Sequence, residues 1–435
     1  MFVDLLETSK GGKFFLTKFA PQAWGWVQHG AVHPFLTWAL LTPLAYILGS
    51  IGVSLCFNPA VLALAALYLD RICKYLGFQP FERLVLILAF LFSKHVGLIM
   101  MYEVHPEAMY PLLSLGLVFA LLQERWRDAV LWGVFLGLIK MDSFLVIWGV
   151  FVAALFLRPQ LQQKKSKLFV VLLFSGIAYV IQLYAIHFFK HSHTMGVVPE
   201  VGPLIGGHSW DSPEAIINTV RAFLDANGGL LGSVIGLLKF ITSKGWIEIL
   251  FPAPWLILSP GFWISELPLV FGFSLRGANA ILWNYYSAPF MSCFWLFLIH
   301  SLNKKRKSIL WPILVLILSL LNGSESIVLK IPKKTIFDLR TEAASYQAGL
   351  SQLSKNGVVV ARLLPFVPLY KVISDRLPFS TEDKSQVDFY FLTKTYSSYN
   401  ITLNDLHLQI EQLRQPNSGF HLVKETENLI LFVRN

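Results

Sequence analysis

Apolar positions dominate the chain from about Asn58 to Leu321, in segments that approach the ~20 residues needed to cross a bilayer and that are separated by short polar or basic breaks. Ten such segments can be drawn: Asn58–Tyr75, Leu84–Met101, Ala108–Gln123, Ala129–Leu138, Ser143–Leu157, Leu168–Phe189, Trp246–Leu258, Trp263–Phe273, Tyr286–Ser301 and Ile309–Leu321. A single anchored enzyme needs far fewer, so the pattern predicts an all-α polytopic membrane bundle of about ten or eleven spans. The two segments flanking Lys140-Met141-Asp142 are read as a hairpin, because a charged pair in the middle of one long span would be costly in lipid. His33–Ser50, which carries Pro34 and Pro43 among apolar residues, fits either an eleventh span or a helix lying in the interface. In the second case Met1–Gly30 would be outside with no preceding helix to carry it there, and an upstream span is expected.

The pattern changes twice along the chain. Between Lys190 and about Gly245, glycines and prolines interrupt any long apolar run; this reads as a long loop with one helix-like stretch, Ser212–Leu224, opened by Asp211-Ser212-Pro213-Glu214. Loops of that length are usually functional or disordered, and a lid or binding role fits its aromatic content. From Gly323 the composition becomes that of a soluble domain, with strands expected at Val358–Ala361, Asp388–Leu392 and Leu429–Val433 and a helix at Leu403–Leu413. The expected organisation is an N-terminal segment 1–57, a membrane domain 58–322 with outer loop 190–245, and a small α/β domain 323–435.

Composition agrees: 55% of the 435 residues are hydrophobic and 14% charged, against about 25% charged in soluble domains. The formal net charge of +10 does not point to nucleic acid, because the basic residues form short runs beside apolar segments rather than one soluble face. Arg71, Lys74 and Arg83, then Arg125 and Arg127, then Arg158, Lys164, Lys165 and Lys167, then Lys304–Lys307 fall in alternate gaps, hence on one side. Cytoplasmic loops collect such residues, so the remaining gaps and the tail are expected outside an inner (plasma) membrane. Cys56, Cys73 and Cys293 stand singly, without disulfide or zinc spacing.

The outer gaps hold the candidate chemistry. Glu103, His105 and Glu107 lie together at the mouth of one span, and Lys140 and Asp142 at the outer turn of a hairpin. Two acidic clusters at one depth can line one cavity, where a carboxylate takes a proton from an acceptor hydroxyl and cations hold a leaving phosphate. Glu103, Glu107 and Asp142 are candidate catalytic bases or metal ligands; Lys94, His95, His105, Lys140 and Arg276 are candidate substrate-binding partners. Solvated loop ends and snorkelling or interhelical pairing explain the same residues without chemistry. Whether a divalent metal ion assists stays open, and the loop histidines His187, His191, His193 and His208 lack an obvious fourth-ligand spacing.

Gln22-Ala23-Trp24, His29-Gly30, His33-Pro34, His105-Pro106-Glu107-Ala108, Lys140-Met141-Asp142 and Tyr286-Ser287-Ala288-Pro289, in that order and spacing, resemble an uncharacterised prokaryotic family of predicted membrane proteins similar to the GT-C glycosyltransferases. The resemblance implies a GT-C-like bundle, an interfacial helix at His33–Ser50, and a polyprenyl-phosphate sugar as donor. It also exposes two departures. The pattern has an acid beside the glutamine where Phe19-Ala20-Pro21-Gln22 has none, and commonly a Glu where this chain has Met141. Two functions follow: a membrane glycosyltransferase working on a lipid-linked sugar, or a non-catalytic membrane protein such as a lipid-binding partner subunit or transporter.

Overall fold

The computed structural model describes residues 16–17, 27–28, 37–101, 106–140, 142–192, 217–218, 221, 224–225, 228–274, 287–304, 308–323, 358–361, 371–372, 388–394, 403–426 and 429–435. They form two compact units: one comprises Met1–His29, Thr42–Ile51 and Ile331–Asn435, the other Gly30–Leu41 and Gly52–Lys330.

The larger unit is helical. Its elements are α1 (Thr37–Tyr75, whose stretch Thr42–Ile51 belongs to the other unit), α2 (Pro80–Leu91), α3 (Lys94–Met101), α4 (Met109–Leu122), α5 (Trp126–Gly137), α6 (Ser143–Leu157), α7 (Lys165–Ser192), α8 (Leu230–Ile241), α9 (Lys244–Leu250), α10 (Pro260–Ser274), α11 (Ala288–Lys304) and α12 (Leu310–Gly323). Gly49, at φ 72° and ψ 155°, breaks α1 into two arms. The first arm, Thr37–Leu48, is roughly 18 Å long at the α-helical rise, too short to cross ~30 Å of hydrocarbon. Residues 33–36 of the expected segment His33–Ser50 lie outside the described residues.

Among the described residues Cys56–Tyr75 and Pro159–Ala185 are long and apolar enough to cross a membrane alone. Two bent pairs also qualify when each is taken as one span: α2 with α3, bent by 57°, and α8 with α9, bent by 53°. The other apolar helices are shorter and contribute by packing side by side.

Two expectations are corrected. Leu230–Ile241, placed in the long loop from Lys190 to Gly245, is a helix, because once Gly228 and Gly229 have turned the chain a mostly apolar run follows, broken only by Ser233 and Lys239. The expected span Trp246–Leu258 is not one helix: α9 ends at Leu250, and Pro252 and Pro254 lead into a 3₁₀ turn at Pro254–Leu258. The helix expected at Ser212–Leu224 lies largely outside the described residues.

Lipid is as apolar as leucine, so close backbone approach and polar contacts, rather than hydrophobic exclusion, hold such helices together. The tightest seam joins α5 to α7. Gly133 and Gly137 stack one turn apart on α5, and a Cβ at Gly137 would lie 2.6 Å from the Ser175 carbonyl oxygen and 3.2 Å from the Tyr179 nitrogen. At Gly133 the obstacle is only the Ser175 hydroxyl, at 2.2 Å. Gly137→Val is thus expected to cost roughly 1–3 kcal/mol, or to separate the two helices. Gly133→Ala combined with Ser175→Ala should be mild, and thermal unfolding in detergent compares the two.

Side-chain contacts fix the helix directions. The Arg158 guanidinium donates to the Leu122 carbonyl and pairs with Glu124, so α4 and α6 end together. The Trp255 indole donates to Ser301 Oγ at 3.1 Å and its ring meets Trp311. Arg83 pairs with Asp70, and Arg71 lies over Tyr68 and Phe119. Arg71, Arg83 and Arg158 accordingly lie at one end of the bundle, as the alternation of loops predicts; residues 305–307 lie outside the described residues. The opposite end receives the starts of α4, α6 and α11 and the ends of α3, α5 and α12.

In the other unit β1 (Leu16–Thr17) pairs antiparallel with β2 (Val27–Gln28). The tail forms a five-stranded mixed sheet in the order β4-β3-β5-β7-β6, from β3 (Val358–Ala361), β4 (Lys371–Val372), β5 (Phe389–Thr393), β6 (Phe420–Glu425) and β7 (Leu429–Arg434). β3 runs parallel to β4 and β5, whereas β7 runs antiparallel to β5 and β6. Helix α13 (Leu403–Arg414) turns Leu406, Ile410 and Leu413 into one core with Tyr390, Leu392, Phe420, Ile430 and Phe432. β3, β5, β7 and α13 lie where the sequence pattern puts them; β4 and β6 are additional.

Lys394 and Arg414 both bond the Glu425 carboxylate, at 2.7 and 2.8 Å. The Lys394 hydrogen bond, aided by the charges of Lys394 and Arg414, holds this carboxyl below its ordinary range against a weaker opposing effect of burial. A depressed folded-state value means the contribution is complete above the unfolded value, about pH 4.3, and is lost as pH falls through the folded one. The protection of β6 and β7 amides against hydrogen exchange, relative to the unfolded chain at the same pH, is expected to fall below about pH 4. Glu425→Gln should reduce that pH dependence.

Candidate functional site

Two chain segments open the end of the bundle opposite the basic residues. Pro106 starts a 3₁₀ turn, Pro106–Ala108, that runs into α4. After α5 ends at Gly137 the next helix, α6, begins at Ser143 with Asp142 at its N-cap position. The Lys140 main-chain N–H donates to Ser143 Oγ at 3.0 Å, which fixes this turn.

Because α4 and α6 lie parallel and adjacent, their first turns share side chains. The Tyr110 hydroxyl donates to the Asp142 carboxylate and sits 3.2 Å from Ser143 Oγ. Lys140 folds back across the turn to place its Nζ 2.6 Å from Glu107 Oε1. Glu107 and Lys140 are 2% and 5% exposed, whereas Asp142 is half-buried. The two carboxylates therefore differ in kind. Glu107 is committed to an ammonium in the interior; Asp142, oriented by a phenol, retains contact with its surroundings.

Helices α4, α6 and α11 all point their N-termini to this end and pack on one another. Each N-terminus carries roughly half a positive charge from aligned peptide dipoles. These N-termini favour negative charge, which Asp142 supplies at the start of α6.

Lys94 and His95 lie elsewhere in the same unit, just past the break between α2 and α3. Lys94 Nζ is 2.7 Å from Glu248 Oε1 on α9, and the Asn322 amide of α12 donates to the Glu248 carbonyl at 2.6 Å. His95 is 2% exposed, and among the described residues neither ring nitrogen has a hydrogen-bond partner. Thus Glu107, Lys140 and Asp142 are brought together, while Lys94 answers to a different carboxylate. Glu103, His105 and Arg276 lie outside the described residues. Among the described residues no group of three His, Cys, Asp or Glu side chains could hold a metal ion.

Sequence reasoning missed Tyr110, Glu248 and Glu266. Tyr110 sits one turn after Glu107 on a helix that reads as wholly apolar. Glu248 and Glu266 did carry a signal, a lone carboxylate inside an apolar run. Glu266 is 1% exposed, and both of its carboxylate oxygens lack a nitrogen or oxygen partner among the described residues. It lies beside the Cys293 thiol.

A family model described as "Predicted membrane protein (DUF2079)" matches residues 1–406. Among solved structures the chain is similar to the cryo-EM structure of arabinofuranosyltransferase AftD from mycobacteria, with 11% identity and a TM-score of 0.47. That similarity covers 100% of this chain but only 38% of the other, so this chain spans well under half of that protein's length. No curated protein matches it.

Proposed function

Since the chain belongs to the DUF2079 family of predicted membrane proteins, we propose that it works on a lipid, as a membrane glycosyltransferase that moves a sugar from a polyprenyl-phosphate carrier. The observation that carries this reading is the placing of a half-buried carboxylate, Asp142, beside Lys140 and three helix N-termini at one end of a membrane bundle. The order of motifs from Gln22 to Pro289, which resembles an uncharacterised membrane-protein family similar to the GT-C glycosyltransferases, supports it.

In this reading the carrier's tail stays in lipid while its phosphate lies at the helix N-termini with Lys140. Asp142 takes the proton of the acceptor hydroxyl as the acceptor oxygen bonds to the sugar's anomeric carbon. The bond from that carbon to the phosphate oxygen breaks, and polyprenyl phosphate leaves. Glu107 holds the Lys140 ammonium in place. The site end and the tail domain face outward from the plasma membrane, since the basic end suits the cytoplasm.

The buried Glu107–Lys140 pair also supports a second reading, a non-catalytic lipid-binding partner subunit, because a closed ion pair has a structural use of its own. Purified protein in liposomes, given polyprenyl-phosphate sugars with and without a divalent cation, separates the two. Release of polyprenyl phosphate with sugar transfer upholds the enzyme. Donor binding without transfer leaves the binding protein, and the absence of both overturns the two together.

A further inference from the structure

Helix α10 carries a carboxylic acid, Glu266, close before a proline in its interior, Pro268. Pro268 has no N–H for the Ile264 carbonyl, and the Trp148 indole of α6 donates to that carbonyl at 3.0 Å instead. The Ser265 hydroxyl donates to the Gly149 carbonyl, also at 3.0 Å, and a Cβ at Gly149 would lie 2.7 Å from Cys293 Sγ of α11. Three helices thus close on one point, six residues or about 9 Å into α6.

Glu266 follows Ser265 in the chain, and this closure encloses its side chain. It is fully buried, neither carboxylate oxygen has a nitrogen or oxygen partner among the described residues, and the Cys293 thiol lies beside it. The elements packed on α10 supply no counter-charge. Within α6 and the 3₁₀ turn Pro254–Leu258 no side chain is titratable, and Asp142 caps the far end of α6. Beyond Cys293, α11 has His300 and Lys304, two and three turns further on, and the Lys239 side chain of α8 is exposed. An ionised carboxylate without a partner is very costly to bury, so the closed arrangement suits the neutral acid. Once α10 parts from its neighbours and water reaches the carboxyl, it ionises above about pH 4.3. Ionisable groups among membrane helices mark ion paths and proton relays.

We propose that Glu266 is a proton-binding site of the bundle, filled when α10 closes on α6 and α11 and emptied when they part. A proton needs no cavity, and a fully enclosed carboxyl suits it. The proton is then a ligand of the closed form, and its activity sets the balance between closed and open. Opening releases one proton, so the open form gains about tenfold for each pH unit above the value of the solvated acid. The closed form is accordingly favoured at low pH and loses ground as pH rises. This is independent of sugar transfer and of the residues around Asp142.

Two measurements on the full chain in liposomes, wild type against Glu266→Gln, test it. Infrared difference spectra at neutral pH should show the carbonyl stretch of a protonated carboxylic acid in the wild type that the glutamine variant lacks. Alkylation of Cys293 by N-ethylmaleimide, read by mass spectrometry, reports the opening, because this buried thiol lies in the same contact. Thiol ionisation raises the rate alike in both proteins and drops out of their ratio. The wild-type rate relative to that of Glu266→Gln should rise about tenfold per pH unit from about pH 5 to 8. Cys56, exposed in the same chain, gives a second reference that needs no variant. A missing carbonyl band would mean that the closed form holds a carboxylate, and a band with a flat ratio would mean a fixed, structural acid. Either result overturns the proposal.

Discussion

Asp142→Asn is expected to slow sugar transfer by about 10²–10⁴-fold, the usual contribution of a positioned base, while leaving donor affinity within a few-fold. The asparagine is the same size and still accepts the Tyr110 hydrogen bond through its amide oxygen. What it loses is the ability to take a proton. Tyr110→Phe, which leaves the carboxylate but removes the phenol that aims it, should cost less, roughly tenfold, the equivalent of one hydrogen bond of about 1.4 kcal/mol. Steady-state rates at saturating donor separate these effects from binding. A wild-type rate in the asparagine variant would take Asp142 out of the chemistry, and Glu107, already held by Lys140, could not readily replace it.

The second large effect is on stability. Lys140→Met leaves the Glu107 carboxylate in the interior without the ammonium 2.6 Å away. Breaking a buried pair from one side typically costs 3–5 kcal/mol, because the desolvation of the remaining charge is no longer offset. Lys140→Met with Glu107→Leu removes both charges and should recover most of that loss, giving a strongly non-additive cycle. Denaturant unfolding in mixed micelles reads it. Equal destabilisation in the single and double variants would mean that Lys140 acts through packing rather than charge.

The same two residues show how far the sequence reaches. That Glu107, Lys140 and Asp142 share one end follows from counting helices between them, since every crossing reverses direction. That Lys140 is paired with Glu107 while Asp142 is left to Tyr110 does not follow. It depends on which of two adjacent helix starts faces which, a matter of rotation about each helix axis. An all-apolar helix such as α4 has no polar face from which that rotation could be read.

The breaks divide in the same way. Ser143–Leu157 emerges with the bounds its hydrophobic pattern implies, as does β3, and the tail helix runs one residue past its expected end. There, local composition and the chain's own turns are enough. The bend at Ser93 inside an apolar run and the helix beginning at Leu230 were not legible. Apolarity reports only that a segment avoids water, and a straight span, a bent one and a packed loop helix satisfy it equally.

By itself, then, the sequence determined that this is a multi-helix membrane protein with a small α/β tail, and that Arg71, Arg83 and Arg158 share one end. Both depend on the solvent each residue tolerates, which is a property of the residue. Only the tertiary structure decided that Glu248 meets Lys94 across 154 positions of chain, that Gly137 lies against the backbone of α7, and that of the two carboxylates brought together Asp142 is the one kept in contact with its surroundings. Those are relations between helices, set by how their surfaces fit.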